Sequence, residues 1–186
     1  GGYPGPGSAI AQLARGCECG CAAGPSLTPD CCSRHRGTAR VAVTVREGEG
    51  WRGDPLSPTD AYVTATVTGG GEGATRRTAT LWNRQRPRWE QRLELGVLEL
   101  APGARLRLQV WDQDNGWDDD LLGTCWVTPR PGHHRALGCF PGGGRLTFNL
   151  EVTCGPGLGG PLCWDYVPQP PPHAGAFYRF SHWPPQ

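Results

Sequence analysis

Through the middle of the chain, apolar side chains recur at every second residue. Val41, Val43 and Val45 alternate with polar neighbours in TARVAVTVR (38–46), and Ala61, Val63, Ala65 and Val67 alternate with Tyr62, Thr64, Thr66 and Thr68. Leu106, Leu108 and Val110 alternate with Arg105, Arg107 and Gln109, and Leu146, Phe148, Leu150 and Val152 close the series. A period of two is that of a strand with one buried face. Further strands are predicted in TRRTATLW (75–82), through Trp89, Leu93 and Leu95, and in LLGTCWVT (121–128). Turn residues separate these segments and none shows helical periodicity, so an all-β, antiparallel β-sandwich of about seven or eight strands is expected.

Composition sets the limits of that sandwich. A chain of 186 residues holds one core of ordinary size plus appendages, and its 29 Gly and 19 Pro gather towards the ends. Four parts are expected: a linker or upstream remnant (1–16), a disulfide-rich module (17–37), the sandwich (38–154), and a disulfide-tied extension leading into a Pro-rich tail (155–186). The tail carries Phe177, Tyr178, Phe180 and Trp183 as docking aromatics. A net charge of +1 gives no electrostatic footprint for nucleic acid. Nine cysteines point to an oxidising, secreted setting. Cys17, Cys19, Cys21, Cys31 and Cys32 lack the paired CxxC spacing of most zinc sites and read as a disulfide knot of open connectivity, with one thiol left over. Cys125 and Cys139, and Cys154 and Cys163, each bracket a loop and can close as local disulfides. No run reaches the 18 or so apolar residues of a membrane span, so any membrane contact is expected to be peripheral. A chain without Met that opens on Gly1 reads as a fragment or a processed product.

The candidate chemistry lies in two loops. LRLQVWDQDNGWDDDLLG delivers Asp112, Asp114, Asp118, Asp119 and Asp120 from a strand into a loop, and GDPLSPTDAY adds Asp54 and Asp60 ahead of another. Seven of the nine Asp therefore fall in two segments. Two carboxylates about 4 Å apart repel by roughly 4 kcal/mol at an effective dielectric near 20, so a cation is expected between them. Calcium takes about six to eight oxygen ligands, and these side chains with carbonyls and water suffice for about two ions. The plainer account is a pair of solvated acidic turns. An EF-hand fails, because Trp117 stands where the loop's turn Gly belongs, Gly123 replaces the final Glu, and a strand precedes it. A metal-dependent enzyme is disfavoured: apart from Ser57 the two loops hold no His, Lys or Ser to act as base or nucleophile. His133 and His134 read as surface loop residues. A calcium-rigidified adhesion module remains the alternative. Arg84, Arg86, Arg88 and Arg92 read as a solvated face or as an anionic-lipid or partner surface, and Trp82, Trp89 and Trp111, which border strands, as structural.

TDAYVTATV, WNRQRPRWEQRLELG and LRLQVWDQDNGWDDDLLG, in that order, resemble the C2 domain family. CECGC…DCC ahead of the sandwich, WDQDNGWDDDLLGTC within it and TCGPGLGGPLCWDYVPQ after it resemble the C-terminal region of the perforins, a family of cytolytic pore formers. The resemblance implies an eight-stranded sandwich of type II topology behind an EGF-like remnant. It implies calcium ligation by Asp54, Asp60, Asp112, Asp114, Asp119 and Asp120, with Asp118 nearby. Trp51 and Trp117 are expected to settle among lipid headgroups, Trp51 standing exposed in glycine-rich surroundings, while Pro55 and Asn115 occupy places where the family carries aromatics. The expected partners are a phospholipid surface in the presence of calcium, an upstream pore-forming domain, and further copies of the parent protein. The expected location is a secretory granule and then a target membrane. Mutual repulsion should raise the aspartate pKa values, so that calcium is held less tightly near pH 5 than near pH 7.

Overall fold

The computed structural model describes residues 33–51, 58–71, 74–114 and 118–167. The expectations for Cys17, Cys19, Cys21, Cys31, Cys32, Asp54, Pro55, Asn115, Trp117 and the Pro-rich tail fall outside these residues.

Two antiparallel sheets face each other. One has the order β5 (Arg88–Glu99), β1 (Thr38–Glu49), β9 (Arg145–Cys154), β8 (Gly132–Cys139). In the other, β3 (Arg76–Arg77) and β4 (Leu81–Arg84) both pair with β2 (Thr59–Thr68), followed by β6 (Arg105–Asp112) and β7 (Asp120–Val127). Counting β3 and β4 as one interrupted edge gives the eight-stranded sandwich. The alternating residues form the core: Val41, Val43, Val45, Val63, Leu106, Leu108, Val110, Leu146, Phe148 and Leu150 are all but fully buried. Burying one such side chain stabilises by about 1.5–3 kcal/mol.

Three local expectations need correction. The segment 75–82 is not one strand, because at Thr78 the side chain enters the pairing: Val63 N–H donates to Thr78 Oγ1 (3.0 Å) while Thr78 N–H donates to Val63 O (2.9 Å). Residues 132–139, expected as a disulfide-bracketed loop, form strand β8 on the open edge of β9, so His133 and His134 lie in a strand. His133 Nδ1 stands 3.2 Å from Glu151. Trp82, expected to be structural, is 54% exposed.

Both local disulfides are formed. Cys125–Cys139 ties the edge strand β7 of one sheet to the edge strand β8 of the other, with Cα atoms 6.3 Å apart. Cys154–Cys163 fastens the extension, where β10 (Leu158–Gly159) and β11 (Asp165–Tyr166) form a small ladder. Replacing Cys125 and Cys139 together by Ser is expected to lower the unfolding free energy by about 2–4 kcal/mol, read as a shifted urea midpoint. An unchanged midpoint would show that the sheets need no tie at this edge.

Candidate functional site: an acidic rim at one end of the sandwich

The start of β2, the end of β6 and the start of β7 lie side by side. Ala61 stands opposite Asp112, and Asp112 opposite Asp120, in adjacent ladders. Asp60 is joined directly to this row: its N–H donates to Asp112 Oδ1 (2.9 Å), and Gln113 N–H donates to Asp60 O (2.8 Å). Two register shifts flank the row, one in β2 against β4 between Thr59 and Ala61, the other in the β6–β7 ladder between Val110 and Trp111. Such bulges bend a strand and re-aim its side chains. Here they fall at Asp60 and beside the Asp112–Asp120 pair. Asn83, in a left-handed conformation (φ 58°), donates its N–H to Asp60 Oδ1 (2.6 Å) and so joins the β4 turn to the rim.

The electrostatics differ from one carboxylate to the next. Asp112 has its pKa raised, chiefly by desolvation; the hydrogen bond from Asp60 N–H opposes this, while the charges of Asp60, Asp120 and Asp114 add to it. Asp119 departs from the general rise expected of the cluster: its pKa is lowered, first by the Tyr62 hydroxyl and then by Asp114 N–H. Tyr62 OH donates to Asp119 Oδ2 (2.5 Å) and Asp114 N–H to Asp119 Oδ1 (3.1 Å). Burial and this carboxylate push the Tyr62 phenol up to about 12.

Sequence reading missed Tyr62 as part of the site. It follows Asp60 by two residues, hence on the same face of β2. Its ring lies parallel to that of Trp111 (centroids 6.4 Å, 11°), with the Arg77 guanidinium 3.7 Å from its centroid. Trp111 Nε1 in turn donates to Thr64 Oγ1 (3.1 Å).

Asp118 is exposed beside Asp119. Among the described residues no three acidic, His or Cys side chains are gathered closely enough to hold an ion as they stand. The donor set nevertheless suits a hard cation, since it is all carboxylate and Asp112 is charged against three like neighbours. The ion pairs among the described residues use glutamates, so Asp60, Asp112 and Asp120 are not neutralised that way.

The family pattern of the C2 domain matches residues 39–139, from the first core strand to the second cysteine of the inter-sheet disulfide. The chain belongs to the C2 domain family. Perforin-1 of Homo sapiens is 47% identical to it over 153 residues, which is 82% of this chain and 27% of that protein. The C2 chain thus spans about a quarter of the length of the perforins it matches. A solved structure described as a C2 domain is 26% identical, with TM-score 0.51 over 62% of this chain and 98% of the other. A C2 domain of plant extended synaptotagmin 1 shares the fold at 17% identity and TM-score 0.54, covering 64% of this chain and 97% of the other. C2 domains are binding modules rather than enzymes.

Trp51 is a correction. It leads into the first acidic loop of this C2 domain, yet it is 6% exposed, and its Nε1 donates to Pro141 O (2.8 Å). Gly48 and Gly144 form the walls of its slot, where an added Cβ would overlap the indole. A buried, hydrogen-bonded Trp anchors the loop stem and does not stand exposed as expected. Trp89 and Trp111 are structural as expected: Trp89 Nε1 lies within 3.3 Å of Ala61 O and 3.1 Å of Ala79 O.

The Tyr62–Asp119 bond makes a testable statement. A carboxyl whose folded pKa is depressed favours the fold above its unfolded pKa and loses that contribution as pH falls through the folded value. Tyr62→Phe is expected to move the Asp119 carboxyl back towards the ordinary range, measured by NMR titration of that group. An unmoved titration would dismiss the phenol as the cause.

Proposed function

We propose that this chain is the calcium-dependent, phospholipid-binding C2 domain of a perforin-like cytolytic pore-forming protein, which it docks onto a target membrane. The observation that carries the reading is the hydrogen bond from Asp60 N–H to Asp112 Oδ1, with Asp120 opposite Asp112, because it brings carboxylates from two distant loops to one end of the sandwich. Asp54, Asp60, Asp112, Asp114, Asp119 and Asp120, with Asp118 at the margin, would hold about two calcium ions. When bound, calcium supplies positive charge and open coordination positions for lipid phosphate oxygens. The chain's own part is to set the carboxylates on adjacent strands and to hold Asp119 through Tyr62. Its rim also presents apolar side chains: Trp82, which flanks Asp60 across the β2–β4 bulge, and Leu121, next to Asp120, are 54% and 48% exposed. With Trp117, and with Asn115 and Pro55 as further loop contacts, they would settle at headgroup level.

On this reading the parent protein is secreted, held in a granule, and assembled with other copies after docking, the pore-forming segment lying in the part of the perforins that this chain does not span. The test is co-sedimentation with phosphatidylcholine liposomes in calcium or in EGTA. Pelleting only in calcium is expected. Equal pelleting in both would overturn the calcium dependence, and pelleting in neither would overturn lipid binding and leave the adhesion module.

A further inference from the structure

A second site lies at the other pole. Strands β1 and β5 are each 12 residues long, roughly 35–40 Å at about 3.3 Å per residue, and they carry the chain from the acidic rim to Thr38 and Glu99. There a cavity of about 430 Å³ opens between three pieces of chain: Arg34–Arg36 ahead of β1, Glu99–Ala101 after β5, and Trp164 and Tyr166 of the C-terminal extension. The acidic rim contributes no residue to it.

Its walls are fixed by hydrogen bonds among the three pieces of chain. Trp164 Nε1 donates to Leu100 O (2.5 Å), Leu100 N–H to Gly37 O (2.8 Å) and Gly37 N–H to Cys163 O (2.9 Å). Tyr166 OH donates to Arg34 O (3.4 Å). The Cys154–Cys163 disulfide secures the extension that brings the two aromatic rings. The ionic groups lining the space are then the side chains of Arg34, His35, Arg36 and Glu99, an excess of positive charge even with His35 neutral. The Arg36 guanidinium lies over the Tyr166 ring, 4.8 Å from its centroid. Stacking of that kind engages the faces of the guanidinium and leaves its N–H donors in the plane, a pre-set fork for an oxyanion. Leu100, Ala101 and Trp164 supply apolar surface to the same space. The volume lies in the range of small-molecule sites, and the depression, open to solvent, joins cationic side chains to an aromatic wall.

We propose that this pocket binds a small phosphate or sulfate monoester, its oxyanion held by Arg36 and its flat or apolar body lying on Trp164. Because it sits at the pole away from the rim, the ligand comes from solution or from another molecule and not from the membrane that the rim would face. The site and its ligand class stand apart from calcium; the statement of the ligand's source rests on the proposed lipid docking.

The test uses the whole chain in EGTA and titrates phenyl phosphate, inorganic phosphate and phenol separately, following tryptophan fluorescence and calorimetric heat. Phenyl phosphate is expected to bind at least about tenfold more tightly than either part alone, about 1.4 kcal/mol at that ratio. Arg36→Ala should weaken it by about tenfold, and Arg36→Lys should recover only part of that, since a point charge lacks the fork. Arg135→Ala, at an exposed position in β8, serves as the control and should change nothing. Equal affinity for phosphate and phenyl phosphate would remove the aromatic wall from the proposal. Binding of phenol alone would remove the anion. No binding of any probe, or full affinity in Arg36→Ala with an unchanged Tm, would overturn the site.

Discussion

Trp51→Ala is expected to lower the unfolding free energy by about 3–5 kcal/mol, the range for truncating a large aromatic in a core, and so to remove much of the stability of a domain this size. Two physical losses combine. The indole leaves a slot bounded by Gly48, Gly144 and Pro141, and backbone walls close poorly on the space left behind. The Pro141 carbonyl loses one of its two donors as well, Gly144 N–H (3.1 Å) remaining, which adds the net worth of an ordinary hydrogen bond, about 0.5–1.5 kcal/mol. Trp51→Phe separates these terms: it keeps most of the packing and should show mainly the second. Gly144→Ala should reproduce the loss from the other side, because the new methyl and the indole cannot share the space. Urea unfolding with unchanged m-values measures all three. If Trp51→Ala unfolds at the midpoint of the parent while liposome pelleting drops, Trp51 belongs to the membrane surface after all and the slot has been misread.

The sandwich was legible because its core strands alternate strictly, and a one-residue error of register would have turned Val63 or Leu108 to solvent. Strand β8 was not, because GHHRALGC (132–139) has no fully buried residue and no apolar–polar alternation, its half-buried and exposed positions changing phase at the irregularity between His134 and Leu137; it is a strand only because β9 offers it an unpaired edge. The interruption at Thr78 was equally hidden, since a hydroxyl that replaces a backbone partner leaves no periodic trace. At the rim, the charge density of 112–120 announced a site. The join to Asp60 followed from expecting the two loops at one end, and the ladder partners place Asp60 and Asp112 there. Trp51 misled because glycine neighbours usually mark an open loop, whereas here they are the walls of a slot closed by a residue 90 positions away. Tyr62 was passed over for the same kind of reason. Its partner Asp119 is 57 residues distant, and only the sheet brings them within hydrogen-bond reach.

Asp112→Asn should act in opposite directions on stability and on metal binding. Asp112 has a folded pKa above its ordinary value of 3.8, by desolvation first and by the charges of Asp60, Asp120 and Asp114. The folded state therefore binds this proton more tightly than the unfolded chain does. What the group adds to stability is present below its unfolded pKa and is lost as pH rises through the folded value, so at neutral pH the ionised form is a net cost in the metal-free protein. Asparagine removes the charge and keeps Oδ1 to accept from Asp60 N–H, so in EGTA the variant is expected to melt higher at pH 7, by about 2–4 °C after allowing for solvent screening at this partly exposed position. Near pH 3 the two proteins should converge. In calcium the order reverses. The parent gains stability with the logarithm of calcium concentration over its dissociation constant, whereas the variant has lost a central carboxylate of the rim and its calcium affinity should fall by about 100-fold. Liposome pelleting should be lost with it. Melting curves at pH 3 and pH 7, each with calcium and with EGTA, measure the whole pattern. A variant that melts lower than the parent in EGTA would contradict the electrostatic account of the rim. One that keeps the parent's rise in calcium would remove Asp112 from the ligand set.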